Sequence, residues 1–163
     1  MLRNLLVSAL LASGSTSAVI KRQEAEVWQP AINARWQIIL SQNLNMNAGL
    51  SPGDATVWDL DLFNTGENTI SSLHAMGIKV ICYFSAGTSE EGRPDLGGLS
   101  ENDYGKGLPD WPGEKYLNIR SDSVWQVMKG RIGLAAQKGC DAVDPDNMGA
   151  YSPSKNVVGK TNM

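Results

Sequence analysis

Residues 79–85 read Lys-Val-Ile-Cys-Tyr-Phe-Ser, a short, nearly unbroken apolar run. A strand that lacks polar alternation is one buried on both faces, which is the habit of parallel sheets covered by helices. Residues 69–76 precede it at helical spacing and stop at Gly77, a helix-ending glycine. Three more runs share the strand's character: 36–41, 56–62 and 142–146. A second helix is predicted over 121–138, where Val124, Val127, Met128, Ile132, Leu134 and Ala135 recur at helical spacing. Ser121 or Ser123 would cap its start, and Gly139 follows its end. Gly130 and Gly133 each weaken this helix by about 1 kcal/mol relative to alanine, and would permit close packing on the sheet. Alternating strands and helices predict βα units around a parallel sheet, an α/β fold. Residues 86–117 read as a long loop rich in Gly, Pro and Asp, with an extended piece at 116–119. A loop of that length in a compact domain is usually functional.

The chain has 163 residues, enough for one modest domain. Residues 1–18 join a positive start at Arg3 to an apolar stretch and a small-residue end at Thr16-Ser17-Ala18. That is the pattern of a secretory signal peptide, too short for a membrane span, and it predicts a secreted, extracellular protein without membrane insertion. Lys21-Arg22 follows. Residues 19–22 therefore read either as a pro-segment with a dibasic processing site or as an ordinary solvated basic stretch. The net charge is −3, and the basic residues of the leader are opposed by no acid, so the remainder is more acidic still. Such a balance disfavours nucleic acid or anionic lipid as a partner. Cys82 sits mid-strand and Cys140 precedes its strand, which predicts two buried thiols rather than a bridge. A single histidine, His74, and no cysteine cluster leave no expected metal site. No glycine-rich phosphate loop stands between a strand and a helix, and no cofactor is expected.

Strand residues alternate faces. If Trp58, Leu60 and Leu62 meet the helices, Asp59 and Asp61 face the other way, inward. The same alternation puts Tyr83 with Ser85, and Asp144 with Asp146. Aspartates crowded at the ends of neighbouring strands repel one another and raise some of their pKa values, an arrangement hard to explain structurally. The plainer reading is that Asp59 or Asp61 caps the following turn and Asp144 accepts backbone hydrogen bonds. Paired carboxylates at strand ends are also the working parts of glycoside hydrolysis.

These residues lie within a longer ordered series. It comprises Trp28-Gln29-Pro30, Trp58 through Phe63, Thr69-Ile70 with Leu73-His74, Lys79 through Gly87 and Arg93-Pro94-Asp95. It continues with Trp111-Pro112-Gly113-Glu114, Leu117 through Arg120, Gly139-Cys140-Asp141 and Pro145-Asp146-Asn147, with Tyr151 beyond. The series resembles glycoside hydrolase family 114, the endo-α-1,4-polygalactosaminidases, whose fungal members are often labelled α-galactosidases. The resemblance implies a (β/α)₈ TIM-type barrel that hydrolyses α-linked galactosamine or galactose in a polysaccharide, using one aspartate and one glutamate. It places the catalytic aspartate at Asp146. It implies substrate contacts from Asp59, Asp61, Tyr83, Arg93, Asp144 and Asn147. Asp144 stands where the family usually has glutamate, one methylene longer, and the loop at 89–92 lacks the family's usual aromatics. Trp28, Trp111 and Tyr83 would stack on sugar faces or pack in the core.

An eight-unit barrel needs roughly 250 residues. Residues 23–151 are therefore expected to form its N-terminal half, about four βα units, with 152–163 a divergent tail. The family's glutamate lies on a later strand, and Glu90 or Asp95 are the stand-ins this stretch offers. A half barrel leaves its first and fourth strands open to pairing with another copy. The alternative function is then an inactive fragment, or a sugar-binding or interaction protein without the second carboxylate.

Overall fold

The computed structural model describes residues 27–46 and 53–149. The expected leader at 1–18, the segment at 19–22, Tyr151 and the tail at 152–163 lie outside the described residues. In chain order the elements are β1 (Trp36–Ile39), β2 (Val57–Asp61), α1 (Glu67–Ala75), β3 (Lys79–Ser85), β4 (Thr88–Glu90), β5 (Tyr104–Leu108), β6 (Trp111–Leu117), α2 (Asp122–Lys138) and β7 (Ala142–Asp146).

β1, β2, β3 and β7 form one parallel sheet in the order β1-β2-β3-β7. The predicted α/β class and parallel strands are thus present, and β3 and β7 keep their predicted bounds. The sheet does not close into a barrel: among the described residues β1 and β7 are its edges. Trp58 and Leu60 of β2, and Leu62 just beyond it, lie with Val80, Cys82 and Phe84 of β3 on one face, against Ile70 and Leu73 of α1 and Ala135 of α2. Fully burying side chains of this size stabilises by about 1.5–3 kcal/mol each. This is the face assignment that the alternation predicted.

Polar side chains fasten the helices to the sheet. Arg131 is 1% exposed. It donates from Nε and Nη2 to Asp95 at 2.7 and 3.0 Å, and from Nη1 to the Ser85 carbonyl at 2.5 Å. A buried guanidinium is tolerable only when its donors are matched in this way. The last residue of α2, Lys138, donates from Nζ to the carbonyls of Leu62 and Thr65 at 2.7 and 2.8 Å, fixing the turn after β2. At the opposite end of the sheet Asp141 pairs with His74 at 2.7 Å and Lys79 at 2.6 Å, and accepts the Val80 amide at 2.9 Å. Burial pushes this carboxyl upward, but those three donors together hold it below its ordinary value.

Four expectations need correction. Cys82 and Cys140 form a disulfide rather than two thiols, with Cα atoms 6.0 Å apart. β3 and β7 are neighbours, and left-handed Gly139 (φ 86°) turns the chain after α2 back toward the face on which Cys82 lies. Residues 86–117 are not one loop: β4, β6 and β5 pair antiparallel into a second, three-stranded sheet. β4 is only three residues long, β6 is largely exposed, and β5 and β6 are interrupted by Gly and Pro, so these strands lack apolar alternation. Gly130 and Gly133 do not serve close packing, because a Cβ at either would meet nothing within 4 Å. Ser121 does occupy the N-cap position of α2, but its side chain makes no capping bond and donates instead to Asp103.

The sheet face opposite the helices carries Asp59, which is 3% exposed and has one carboxylate oxygen without a partner. Burial first, then the hydrogen bond and negative charge of Asp144, push its pKa from 3.8 up to about 7. The fold therefore holds a proton on Asp59 that the unfolded chain has released. Stability falls as pH rises from about 4 through about 7.

Two outcomes follow from this architecture. The disulfide closes a separation of 58 residues, so Cys140→Ser should cost about 2–4 kcal/mol in a denaturant titration; an unchanged midpoint would mean that the bridge constrains nothing. Asp59→Asn removes the buried titration. The variant should melt above the parent at pH 8, with the gap closing toward pH 4, and equal melting temperatures at pH 8 would contradict the assignment.

Candidate active site

Strand register sets the geometry at the carboxyl ends of the parallel sheet. Asp61, Tyr83 and Asp144 stand side by side on β2, β3 and β7, and Ser85 stands beside Asp146 one step further on. A pocket of about 290 Å³ opens there, lined by Asp61, Tyr83, Arg93, Asp146 and Asn147 from the predicted set. Leu40, Ser41, Glu90, Trp111 and Glu114 complete its wall. The second sheet supplies Glu90, Trp111 and Glu114, so the segment first read as a loop forms one side of the site.

Asp146 is held through both oxygens. The Tyr83 hydroxyl donates to Oδ2 at 2.9 Å and the Asn147 amide to Oδ1 at 2.6 Å. Burial first, then the negative charges of Asp146 and Glu90, push the Tyr83 phenol up to about 12 against the opposing Ser85 hydrogen bond. It therefore remains a proton donor at neutral pH. Asn147 adopts φ 60°, a left-handed conformation that asparagine tolerates better than most residues. In this geometry its side-chain amide reaches Thr88 Oγ1 at 3.1 Å and Ser85 Oγ at 3.3 Å.

Arg93 joins the two sheets. It donates to both Asp61 oxygens, at 3.1 and 2.5 Å, and to both Glu90 oxygens, at 3.0 and 2.7 Å. Its guanidinium also lies 4.8 Å from the centre of the Phe63 ring. Asp61 accepts the Phe63 and Asn64 amides as well, at 3.0 and 2.8 Å, so its oxygens are largely committed to the turn and the arginine. Capping of the next turn, the plainer reading of Asp61, is part of what it does. Glu114 accepts from the Thr88 hydroxyl at 2.9 Å. Burial first, and then the negative charges of Glu90 and Asp146, raise its pKa.

Not every predicted residue reaches the pocket. Asp59 and Asp144 lie one step below Asp61 and Asp146 and interact with each other. Asp95 points to Arg131, whereas Glu90 is in the wall. Trp28 lies near Lys79, at 6.0 Å, away from the strand ends. Trp111 is 64% exposed and lines the pocket wall. Glu114 and Thr88 were not singled out as site residues. Glu114 had a signal in the Trp111-Pro-Gly-Glu114 motif, and Thr88 had none. Among the described residues no group of three or more His, Cys, Asp or Glu is placed to hold a metal ion.

This arrangement can present one carboxylate to a ligand, oriented by a neutral phenol and a backbone amide, within a pocket of negative charge partly balanced by Arg93. Comparison with known proteins agrees in fold and sequence. A structure of Aspergillus fumigatus Ega3 in complex with galactosamine is 49% identical, covering 76% of this chain and 48% of that chain, with a TM-score of 0.70. The glycoside hydrolase domain of PelA from Pseudomonas aeruginosa is 13% identical, covering 70% of this chain and 44% of that chain, with a TM-score of 0.55; it shares the fold. This chain thus spans about half the length of the solved relatives it matches. No curated protein sequence matches it. Residues 17–162 match the family model for glycoside hydrolase family GH114, and the chain belongs to that family.

Proposed function

We propose that this chain carries the N-terminal half of a (β/α)₈ glycoside hydrolase that cleaves α-linked galactosamine or galactose in a polysaccharide, with Asp146 as one of its two catalytic carboxylates. The observation that carries this reading is the placement of Asp146. It stands at the carboxyl end of a parallel strand, where barrel enzymes keep their chemistry, with both oxygens oriented by Tyr83 and Asn147. The galactosamine bound in Ega3 supports an amino-sugar ligand, and the acidic wall of Glu90, Glu114 and Asp146 suits a substrate that carries ammonium groups. The second carboxylate would come from a strand that pairs beside β7, whose outer edge is open among the described residues. The distance between the two carboxylates, about 5 Å or about 6.5–9.5 Å, would then decide between retention and inversion. A secreted location accords with the leader pattern at 1–18 and with the Cys82–Cys140 bridge, since such bonds persist in oxidising compartments.

The edges β1 and β7, open among the described residues, favour a second reading. In it the chain binds sugar, or pairs with another copy, without turnover.

Release of reducing ends from an α-1,4-galactosamine polymer separates the two. On the enzymatic reading Asp146→Asn, made in a chain that also carries the second carboxylate, should lower kcat by about 10²–10⁴-fold with little loss of binding; wild-type turnover retained in that variant would overturn the assignment. Trp111→Ala should raise KM or Kd by about fivefold, through the loss of a stacking ring worth roughly 1 kcal/mol. A larger effect on kcat than on KM would place Trp111 in the reaction itself.

A further inference from the structure

Glu114 stands on the antiparallel sheet rather than on a parallel strand, and it is connected to Asn147 by one hydroxyl. The Thr88 hydroxyl is 2.9 Å from Glu114 Oε2 and 3.1 Å from Asn147 Nδ2. A hydroxyl has one proton to donate and lone pairs to accept with. An ionised Glu114 can only accept, so it takes the Thr88 proton. Thr88 Oγ1 must then accept from the Asn147 amide. That fixes which way the Asn147 side chain faces: its nitrogen toward Thr88 and Ser85, with Asp146 Oδ2 at 3.4 Å, and its carbonyl oxygen left as the remaining acceptor of that side chain. The same residue's backbone amide holds Asp146 Oδ1. Because Asn147 sits at φ 60°, its backbone conformation depends on surrounding contacts that favour it.

We infer that Glu114 is a positioning residue for the reactive strand end, acting through Thr88 to set the orientation of Asn147 and thereby the carboxylate of Asp146. This inference rests on the reading of Asp146 as the reactive carboxylate. It adds to that reading a control exerted by the second sheet. Charged and titratable groups surround Glu114: Glu90 on β4, Arg93 in the following connection, and Asp146 on β7 all act on it. Asp61 on β2 and Tyr83 on β3 line the same pocket. Burial and the charges of Glu90 and Asp146 raise the pKa of Glu114 while Arg93 opposes them. Its ionisation therefore falls at a higher pH than that of an ordinary glutamate. When Glu114 takes up a proton it can donate to Thr88, and the direction of the whole chain of bonds is no longer imposed.

The test uses isotopically labelled full chain and follows the Asn147 side-chain amide by NMR as pH is lowered. In the parent the resonances should shift with a single inflection that is absent in Glu114→Gln and in Thr88→Val, while the backbone spectrum away from the site keeps its folded dispersion. If the chain hydrolyses the galactosamine polymer, Glu114→Gln should also displace the acid limb of the kcat/KM profile while Glu114→Asp restores it in part. An Asn147 amide that titrates identically in the parent and both variants would overturn the relay. Absence of hydrolysis at every pH in the parent, with the relay titration present, would overturn the enzymatic reading and with it the positioning of a reactive group, while showing that Glu114 does orient Asn147.

Discussion

The parallel ladder β2-β3-β7 brings aspartates from the two strands that flank β3 to one sheet face, and the cation of Arg93 makes that crowding tolerable. Asp61 and Glu90 come from different sheets and share the same guanidinium. A bidentate arginine satisfies several acceptors at once and keeps its charge at any relevant pH. Burial opposes the charge on Arg93, but the bonds from Glu90 and Asp61 outweigh it and raise its pKa. Where no cation reaches, as at Asp59 beside Asp144, the sheet instead retains a proton. Two solutions to the same electrostatic problem thus stand one step apart on one face. The upper one leaves Asp146 oriented by donors and open to the pocket.

The opposite face of the sheet holds the site in place by ordinary means. Leu60, Leu62, Val80 and Phe84 give the strands a common apolar wall against α1 and α2. Arg131 ties α2 to the carbonyl of Ser85, the residue that stands beside Asp146. The disulfide ties the entry of β7 to the middle of β3. These connections fix the β3–β7 pair at two levels, Arg131 at its carboxyl end and the disulfide at the entry of β7, and this pair must not shift if Tyr83 is to meet Asp146 at hydrogen-bond distance. Packing, a buried ion pair and a covalent link therefore serve the same pair of strands.

Most of the parallel sheet was legible in the sequence because its signal is local. Lys79–Ser85 has one physical explanation, a strand covered on both faces, and the alternation of Trp58, Leu60 and Leu62 with Asp59 and Asp61 separates core from site. The second sheet was not legible. Thr88–Glu90 is three residues long, and β5 and β6 carry Gly107, Pro112 and Gly113, so no period of two survives. With that sheet unseen, Glu90 and Glu114 could not be placed against Asp146, and only the family motif marked the segment. The disulfide was missed for a related reason. Position along a strand does not reveal that a left-handed Gly139 folds the chain back toward β3, the strand that pairs directly with β7. Asp61 shows the converse: it caps a turn, as the plainer reading has it, and it also lines the pocket.

The central claim is that the strand-end pocket between the two sheets is where sugar binds. A crystal structure of the chain with an α-1,4-galactosamine oligosaccharide tests it directly. A sugar residue should be seated between Trp111 and the Tyr83–Asp146 pair, within hydrogen-bond distance of Asp146 and Asn147. An oligosaccharide bound only elsewhere, such as the groove between α2 and Phe63 on the helix side, with the strand-end pocket empty, would contradict it.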